Sequence, residues 1–177
     1  MFKRGSLSPE QALQKARHYC SYQERCHQEV KEKLYSFGLR QRDVDQAIAT
    51  LVEDNYLNEE RFAIQFAGGH FRLKQWGRVR IRYTLKQKQV SDYCIKKALA
   101  AIDEEDYLKT LEKLATEKWE ALKDETAFVR RGKLQEFLVR KGYEQDAIGR
   151  VIKAIADDSS NHEASGETPS NETSPYQ

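Results

Sequence analysis

Apolar residues recur in the same order three times along this chain, in copies offset by 51 and then 53 residues. In each copy, two apolar residues four apart, such as Val30 and Leu34, lie on one face of a helix. A second set with spacings of four and three residues follows. The matching positions are Val30, Leu34, Leu39, Val44, Ile48 and Leu51, then Ile81, Leu85, Val90, Ile95, Leu99 and Ile102, then Leu134, Leu138, Tyr143, Ile148, Ile152 and Ile155. This repetition predicts three copies of one helical unit.

The copies differ where their second helix ends. Gly38 and Gly142 stand where a helix closes with a left-handed residue, a conformation that glycine adopts without strain. The second copy has Gln89 there, so its helix must end differently or accept strain. That helix is predicted to run from about Trp76 to Lys88.

A further helix precedes each pair, so the pattern predicts nine helices in three units. Ser8 followed by Pro9 is a helix-start signal, and Asn58 can cap a helix that begins at Glu59. The predicted units are residues 1–56, 57–103 and 104–156. The fold class is therefore all-α, with three tandem three-helix repeats in an elongated, curved array. Residues 157–177 lack periodicity and are rich in polar residues, so we expect a disordered acidic and polar tail.

The formal net charge of +2 is unevenly distributed. Residues 157–177 carry five acidic residues and no Lys or Arg, which leaves 30 basic against 23 acidic residues in the rest of the chain. A basic body favours an anionic partner, such as nucleic acid or a protein assembled on it. Ordinary solubilising charge explains the net charge equally well.

The sequence contains no recognisable catalytic constellation. It has no Gly-rich phosphate-binding loop and no HExxH or GxSxG motif. His18, Cys20, Cys26 and His27 are close in sequence, but they lack the two separated ligand pairs of zinc signatures. No apolar run approaches the roughly 20 residues that span a bilayer. We therefore expect a cytoplasmic, non-enzymatic protein that uses no metal or cofactor and binds no membrane.

The strongest functional signal is the stretch of residues 72–97, which holds nine basic residues and only one acid, Asp92. Arg78, Arg82 and Lys86 recur every four residues and should project together from one helix. A similar stretch lies on the corresponding helix of the third unit. The candidate contact residues are Arg72, Lys74, Arg78, Arg80, Arg82 and Lys86 in the second unit, and Arg130, Arg131, Lys133, Arg140 and Lys141 in the third. A solvated charged face is the alternative, but two equivalent basic helices favour a partner-binding surface.

Two segments resemble the central signature of the RecX family, which are bacterial regulators of the RecA recombinase. They are YLNEERFA at residues 56–63 and KQWGRVRI at residues 74–81. Arg25, Glu29, Val30, Lys33 and Leu34 resemble the first-repeat motif of that family, and Lys133, Leu134, Phe137, Leu138, Arg140, Lys141, Gly142 and Tyr143 resemble the third. The resemblance covers about residues 12–155. Cys26 stands where the family usually has Ser, Thr84 replaces a usual Glu, and Gln89 replaces a usual Gly.

The resemblance implies an elongated, curved monomer that binds in the groove of the RecA filament on single-stranded DNA. It also implies inhibition of the ATPase, strand-exchange and coprotease activities of RecA. The basic positions in the matched central motif are Lys74, Arg78, Arg80 and Arg82, and their contact with RecA or DNA is inferred from charge. The alternative is a stand-alone DNA-binding module that acts through phosphate contacts. Base reading in the major groove is less well supported, because the third helices of two units are acidic or neutral.

Overall fold

The computed structural model describes residues 7–164, with side chains described for residues 7–157. Within that range the chain forms nine α-helices and no strand, so the predicted all-α repeat fold is confirmed. The helices are α1 Pro9–Tyr22, α2 His27–Ser36, α3 Gln41–Glu53, α4 Glu59–Lys74, α5 Arg78–Gln87, α6 Asp92–Ala100, α7 Glu104–Glu120, α8 Ala127–Lys141 and α9 Gln145–Ala164. None of these helices is both long enough and apolar enough to cross a membrane.

The recurring apolar residues are the ones that the helices bury. Val30 and Leu34 on α2, and the equivalent pairs on α5 and α8, are completely shielded from solvent. Burying one such side chain stabilises the fold by about 1.5–3 kcal/mol. The apolar periodicity of the sequence therefore marks the core-facing side of α2, α5 and α8, the second helix of each repeat.

The buried side chains form two clusters rather than three. One cluster is made by helices α1 to α3 of the first repeat, together with Leu57 from the segment between α3 and α4. The other is shared by the second repeat (α4 to α6) and the third repeat (α7 to α9), and it also contains Cys26 from the first. The second and third repeats are thus packed as one body, to which the first is attached.

Polar contacts and one thiol make the joint between the first and second repeats. The Lys88 ammonium donates to the Glu29 carboxylate at 2.7 Å, and the Arg61 guanidinium pairs with Glu24. Cys26 is 1% exposed, and burial raises the pKa of its thiol. It therefore packs as a small apolar side chain at this joint.

The structure confirms most of the residues that the sequence predicts to start or end helices. The Ser8 hydroxyl accepts from the Gln11 backbone N–H, and the Asn58 side chain accepts from that of Arg61. Gly142 closes α8 in the left-handed conformation, with φ of 91°. Gln89 takes the same conformation, with φ of 58°, so the second repeat accepts the strain that its sequence implies.

Two boundaries differ from the sequence prediction. Helix α5 begins at Arg78 rather than near Trp76, because Gln75 is left-handed and Gly77 is the extended N-cap residue. Helix α9 continues to Ala164, although we expected the tail to begin at residue 157. Residues 157–164 contain no Gly or Pro that would end a helix. The disorder expected of residues 165–177 concerns positions outside the described part of the chain.

Candidate partner-binding surface

The second and third repeats are joined by their backbones where α5 begins and α8 ends. The Gly77 N–H donates to the Lys141 carbonyl at 2.9 Å, and the Val79 N–H donates to the Gly142 carbonyl at 2.9 Å. A Cβ atom on Gly77 would lie 2.1 Å from the Gly142 oxygen. Glycine at position 77 is therefore required for this close approach, which fixes the relative position of the two basic helices.

Arg78 lies inside this junction instead of on an open face. Its guanidinium bonds Glu104 at 2.6 Å, lies 4.0 Å from Glu144 and stacks 4.1 Å above the Tyr107 ring. The Tyr107 hydroxyl donates to Glu144 at 2.6 Å and accepts from the Arg78 backbone N–H at 3.0 Å. Burial, followed by the hydrogen bond to Glu144, raises the pKa of Tyr107. The charge of Arg78 is thus compensated within the protein.

Arg80 projects from the side of α5 opposite to Arg78. It belongs to a surface that we call the Trp76 face, which is made by His70, Lys74, Trp76, Arg80 and Lys141. The Arg80 guanidinium lies 4.1 Å and the Lys74 ammonium 5.0 Å from the Trp76 ring centroid. The Lys141 ammonium donates to the Lys74 carbonyl at 3.1 Å, which brings in a cation from the third repeat. Cations held over aromatic rings are stabilised by the ring quadrupole. The Trp76 face therefore combines three positive charges with a half-buried indole across two repeats.

His70 extends the aromatic part of the Trp76 face toward α4. Its ring stacks on Phe66, with centroids 3.9 Å apart, and lies 4.5 Å from the ring centroid of Trp76. Burial, reinforced by the charges of Lys74, Lys88 and Arg80, lowers the pKa of His70 despite its hydrogen bond to the Phe66 carbonyl. His70 thus belongs to the face as a neutral ring near pH 7.

The remaining second-repeat candidates lie on other surfaces. Arg72 and Arg82 are exposed. Lys86 is also exposed and pairs with Asp92 at 3.3 Å. Arg82 lies about 200° around the α5 axis from Arg80. The six second-repeat candidates therefore do not form one continuous stripe.

The third-repeat candidates are divided in the same way. Arg130 donates to the Trp119 carbonyl at 2.8 Å and stacks 3.9 Å from the Trp119 ring, so it closes the end of α7. Lys133 pairs with Glu125, and Arg140 lies 3.9 Å from Glu136. Arg131 is exposed. Of these candidates, only Lys141 contributes its side chain to the Trp76 face. Arg140 contributes its backbone carbonyl, which accepts from Arg80 at 3.2 Å.

Charge alone does not identify the aromatic members of this surface. His70 and Trp76 lie in or beside α4, and Phe66, on which His70 stacks, lies four residues before His70 on the same helix face. Glu104 and Glu144, which neutralise Arg78, lie far from it in the sequence. The i, i+4 aromatic spacing was an available signal, whereas the carboxylate partners depend on the tertiary fold.

These features define an all-α tandem-repeat protein whose last two repeats share one core and present basic and aromatic side chains. Two family models match the same two repeats: the second three-helix domain of RecX at residues 58–99 and the third at residues 104–152. The chain belongs to the RecX family.

Individual relatives agree with this assignment. The regulatory protein RecX of Clostridium perfringens strain 13 is 33% identical over 129 residues, which cover 72% of this chain and 60% of that protein. The RecX of Clostridium botulinum strain Eklund 17B is 34% identical over 127 residues, covering 71% of this chain and 59% of that protein. The chain thus spans about 60% of the length of these relatives.

Solved structures share the fold. The crystal structure of RecX from Lactobacillus salivarius superimposes with a TM-score of 0.77 at 21% identity, covering 84% of this chain and 96% of that one. A second crystal structure of regulatory protein RecX gives a TM-score of 0.74 at 21% identity, covering 81% of this chain and 70% of that one. At this identity the similarity establishes the three-repeat architecture.

Proposed function

We propose that this protein is a regulator that binds the RecA filament on single-stranded DNA and restrains RecA's ATP hydrolysis, strand exchange and coprotease activity. Membership of the RecX family supports RecA as the partner. The observation that supports binding by these repeats is the Trp76 face, where Lys74 and Arg80 are held over one indole ring and Lys141 of the third repeat bonds the Lys74 carbonyl. In this proposal the protein acts as a monomer in the cytoplasm.

The physical support is preorganisation. The backbone bonds between Gly77 and Lys141, and between Val79 and Gly142, fix the second and third repeats before any partner arrives. A rigid surface loses less conformational freedom on binding than a flexible one. Positive charge on such a surface also attracts an anionic assembly and raises the rate of encounter.

The direct test is titration of the protein into RecA that is hydrolysing ATP on single-stranded DNA. We expect hydrolysis to fall as the protein is added. The double variant Lys74→Glu/Arg80→Glu should inhibit at least tenfold less effectively, because like charges across an interface cost several kcal/mol. Unchanged hydrolysis at saturating wild-type protein would contradict the proposal.

A matched control is available on α7. Lys109 and Lys113 are exposed and pair with glutamates on their own helix. Lys109→Glu/Lys113→Glu changes the net charge by the same amount and should inhibit like the wild type. Circular dichroism of both variants separates a binding defect from a folding defect. Equal inhibition by both variants would exclude the Trp76 face as the contact.

The second candidate function is direct DNA binding through phosphate contacts. Arg72, Arg82 and Arg131 are exposed cations for which the described residues offer no carboxylate within ion-pair distance. This hypothesis predicts DNA binding without RecA that weakens steeply as salt is added. Arg72→Glu/Arg82→Glu should abolish that binding. If this variant lost DNA binding but still inhibited RecA, the two activities would use different surfaces.

A further inference from the structure

The first repeat, which carries none of the predicted contact residues, has an aromatic and basic groove between α1 and α2. We call it the first-repeat groove, and it is lined by Gln14, Lys15, His18, Tyr19, Tyr22, Lys33 and Phe37. Three of these side chains are aromatic and two are lysines. No carboxylate belongs to the lining formed by the described residues. The lining of the groove is therefore aromatic and basic.

The two lysines gather around one ring. The ammonium of Lys15 lies 5.9 Å and that of Lys33 5.4 Å from the Phe37 ring centroid. Lys33 is also 5.5 Å from the Tyr19 ring centroid, over which Arg25 stacks at 4.1 Å. Among the described residues neither lysine has a carboxylate within 4.0 Å, unlike Lys109 on α7, which pairs with Glu105 at 2.5 Å. Gathering like charges without counter-charge is unfavourable unless an anion supplies it.

The aromatic side of the groove is open to solvent. Tyr22, the last residue of α1, is 81% exposed, whereas Tyr19 and Phe37 are half-buried beneath the cations. A large exposed ring beside unpaired lysines provides a flat stacking surface next to an anion site. Proteins that bind single-stranded nucleic acid combine these two elements, because each nucleotide offers one phosphate and one base face.

We propose that the first-repeat groove binds single-stranded DNA, with a backbone phosphate held by Lys15 and Lys33 and an unpaired base stacked on Tyr22. An acidic protein segment would pair with the two lysines but would place no flat group on the exposed Tyr22 ring. A duplex would supply phosphates but keeps its bases stacked within the helix. The groove chemistry therefore favours a single strand. This proposal goes beyond filament regulation, and its test does not require RecA.

The test measures binding of a fluorescently labelled oligothymidine to the full chain by anisotropy at several salt concentrations. The variant Lys15→Gln/Lys33→Gln should lower the slope of log affinity against log salt by about 0.7, the value expected for loss of one single-strand phosphate contact. Tyr22→Ala should weaken binding about tenfold at fixed salt, a change within the range for loss of one stacked base.

The control variants change similar residues outside the groove. Lys109→Gln/Lys113→Gln removes the same charge from α7. Tyr35→Ala removes a ring that is 47% exposed on α2 but lies about 200° around the helix from Lys33. Both controls should bind the oligonucleotide with wild-type affinity and salt slope. Circular dichroism identifies any groove variant that has lost its helices, and Tyr22→Phe, which retains the ring, should restore binding.

The proposal is overturned if the groove variants bind the oligothymidine like the wild type. It is also overturned if a duplex or an abasic strand of equal length binds as tightly as the oligothymidine, or if binding is detected only with an acidic peptide. RecA hydrolysis assays on the same variants remain a separate measurement. Loss of DNA binding with full inhibition of RecA would support the groove and leave the filament proposal intact.

Discussion

At the residue scale, the cations that look equivalent in the sequence perform different tasks. Arg78 and Arg82 are four residues apart on α5, and their spacing predicts one shared face. Arg78 is 21% exposed and bonded to Glu104, whereas Arg82 is exposed. The difference arises because Arg78, the first residue of α5, lies against Glu104 and Tyr107 of the third repeat, whereas Arg82 lies one turn further along the helix.

This division predicts opposite consequences for two similar substitutions. Arg78→Ala should lower the free energy of unfolding by about 1–3 kcal/mol, because partly buried charge-assisted hydrogen bonds are lost. Arg82→Ala should change it by less than about 0.5 kcal/mol, as is usual for exposed positions. Urea unfolding monitored by circular dichroism gives both values. Equal effects of the two substitutions would contradict the structural role of Arg78.

Gln89 predicts a stabilising substitution. Left-handed backbone at a non-glycine residue costs about 1–2 kcal/mol, and glycine avoids that cost while losing about 0.5–1 kcal/mol of chain entropy. Gln89→Gly should therefore raise the free energy of unfolding by up to about 1 kcal/mol. Gln89→Ala keeps the strain and is the control. A thermal melt in which both variants match the wild type would show that the turn is unstrained.

His70 predicts a loss of stability in mild acid. Its pKa in the folded protein is lowered by burial and by Lys74, Lys88 and Arg80, so the unfolded chain binds the proton more readily. Its contribution is complete above the unfolded value of about 6.5 and is lost as the pH falls through the lower folded value. His70→Phe keeps the ring stack and should reduce this loss, measured by urea unfolding between about pH 7.5 and pH 5. An unchanged pH dependence in the variant would rule out this contribution of His70.

At the element scale, the sequence predicted the helices and the core positions, whereas the contacts made by individual surface cations were not predictable from it. The i, i+4 apolar pairs on α2, α5 and α8 identified the buried stripes, because helix periodicity directly reports which face is covered. The surroundings of individual cations could not be predicted in the same way. Whether Arg78 or Arg130 faces solvent depends on Glu144, which lies between α8 and α9, and on Trp119 of α7. The local pattern positions neither residue.

The two kinds of glycine in this chain give an element-scale prediction. Gly77 at the start of α5 touches the end of α8, whereas a Cβ on Gly132 within α8 would meet nothing within 4 Å. Gly132→Ala should stabilise the protein by up to about 1 kcal/mol through helix propensity. Gly77→Ala should destabilise it by more than about 2 kcal/mol, because the helices must separate to accept the methyl group. Thermal melts distinguish the two signs, and a stabilising Gly77→Ala would contradict the close approach.

At the scale of the whole molecule, the three repeats form two packed bodies. The first repeat has its own core, and its joint to the second consists of the buried Cys26 and ion pairs such as Glu29 with Lys88. Half-exposed ion pairs of this kind each contribute about 1 kcal/mol or less. The second and third repeats share one core and bonded backbones. Weak coupling across the first joint and strong coupling across the second would let the two bodies unfold separately.

Tryptophan emission can distinguish these bodies, because the two tryptophans of the chain, Trp76 and Trp119, both lie in the shared body. Leu34 and Leu85 are each completely buried, one in each body, and replacing either with alanine should cost about 2–5 kcal/mol locally. Leu34→Ala should shift part of the circular dichroism transition to lower urea while the emission midpoint stays near the wild-type value. Leu85→Ala should shift the emission midpoint itself. If the circular dichroism and emission midpoints shifted together in both variants, the chain would unfold as one cooperative unit. A change in the core of the first repeat would then also destabilise the body that carries the Trp76 face.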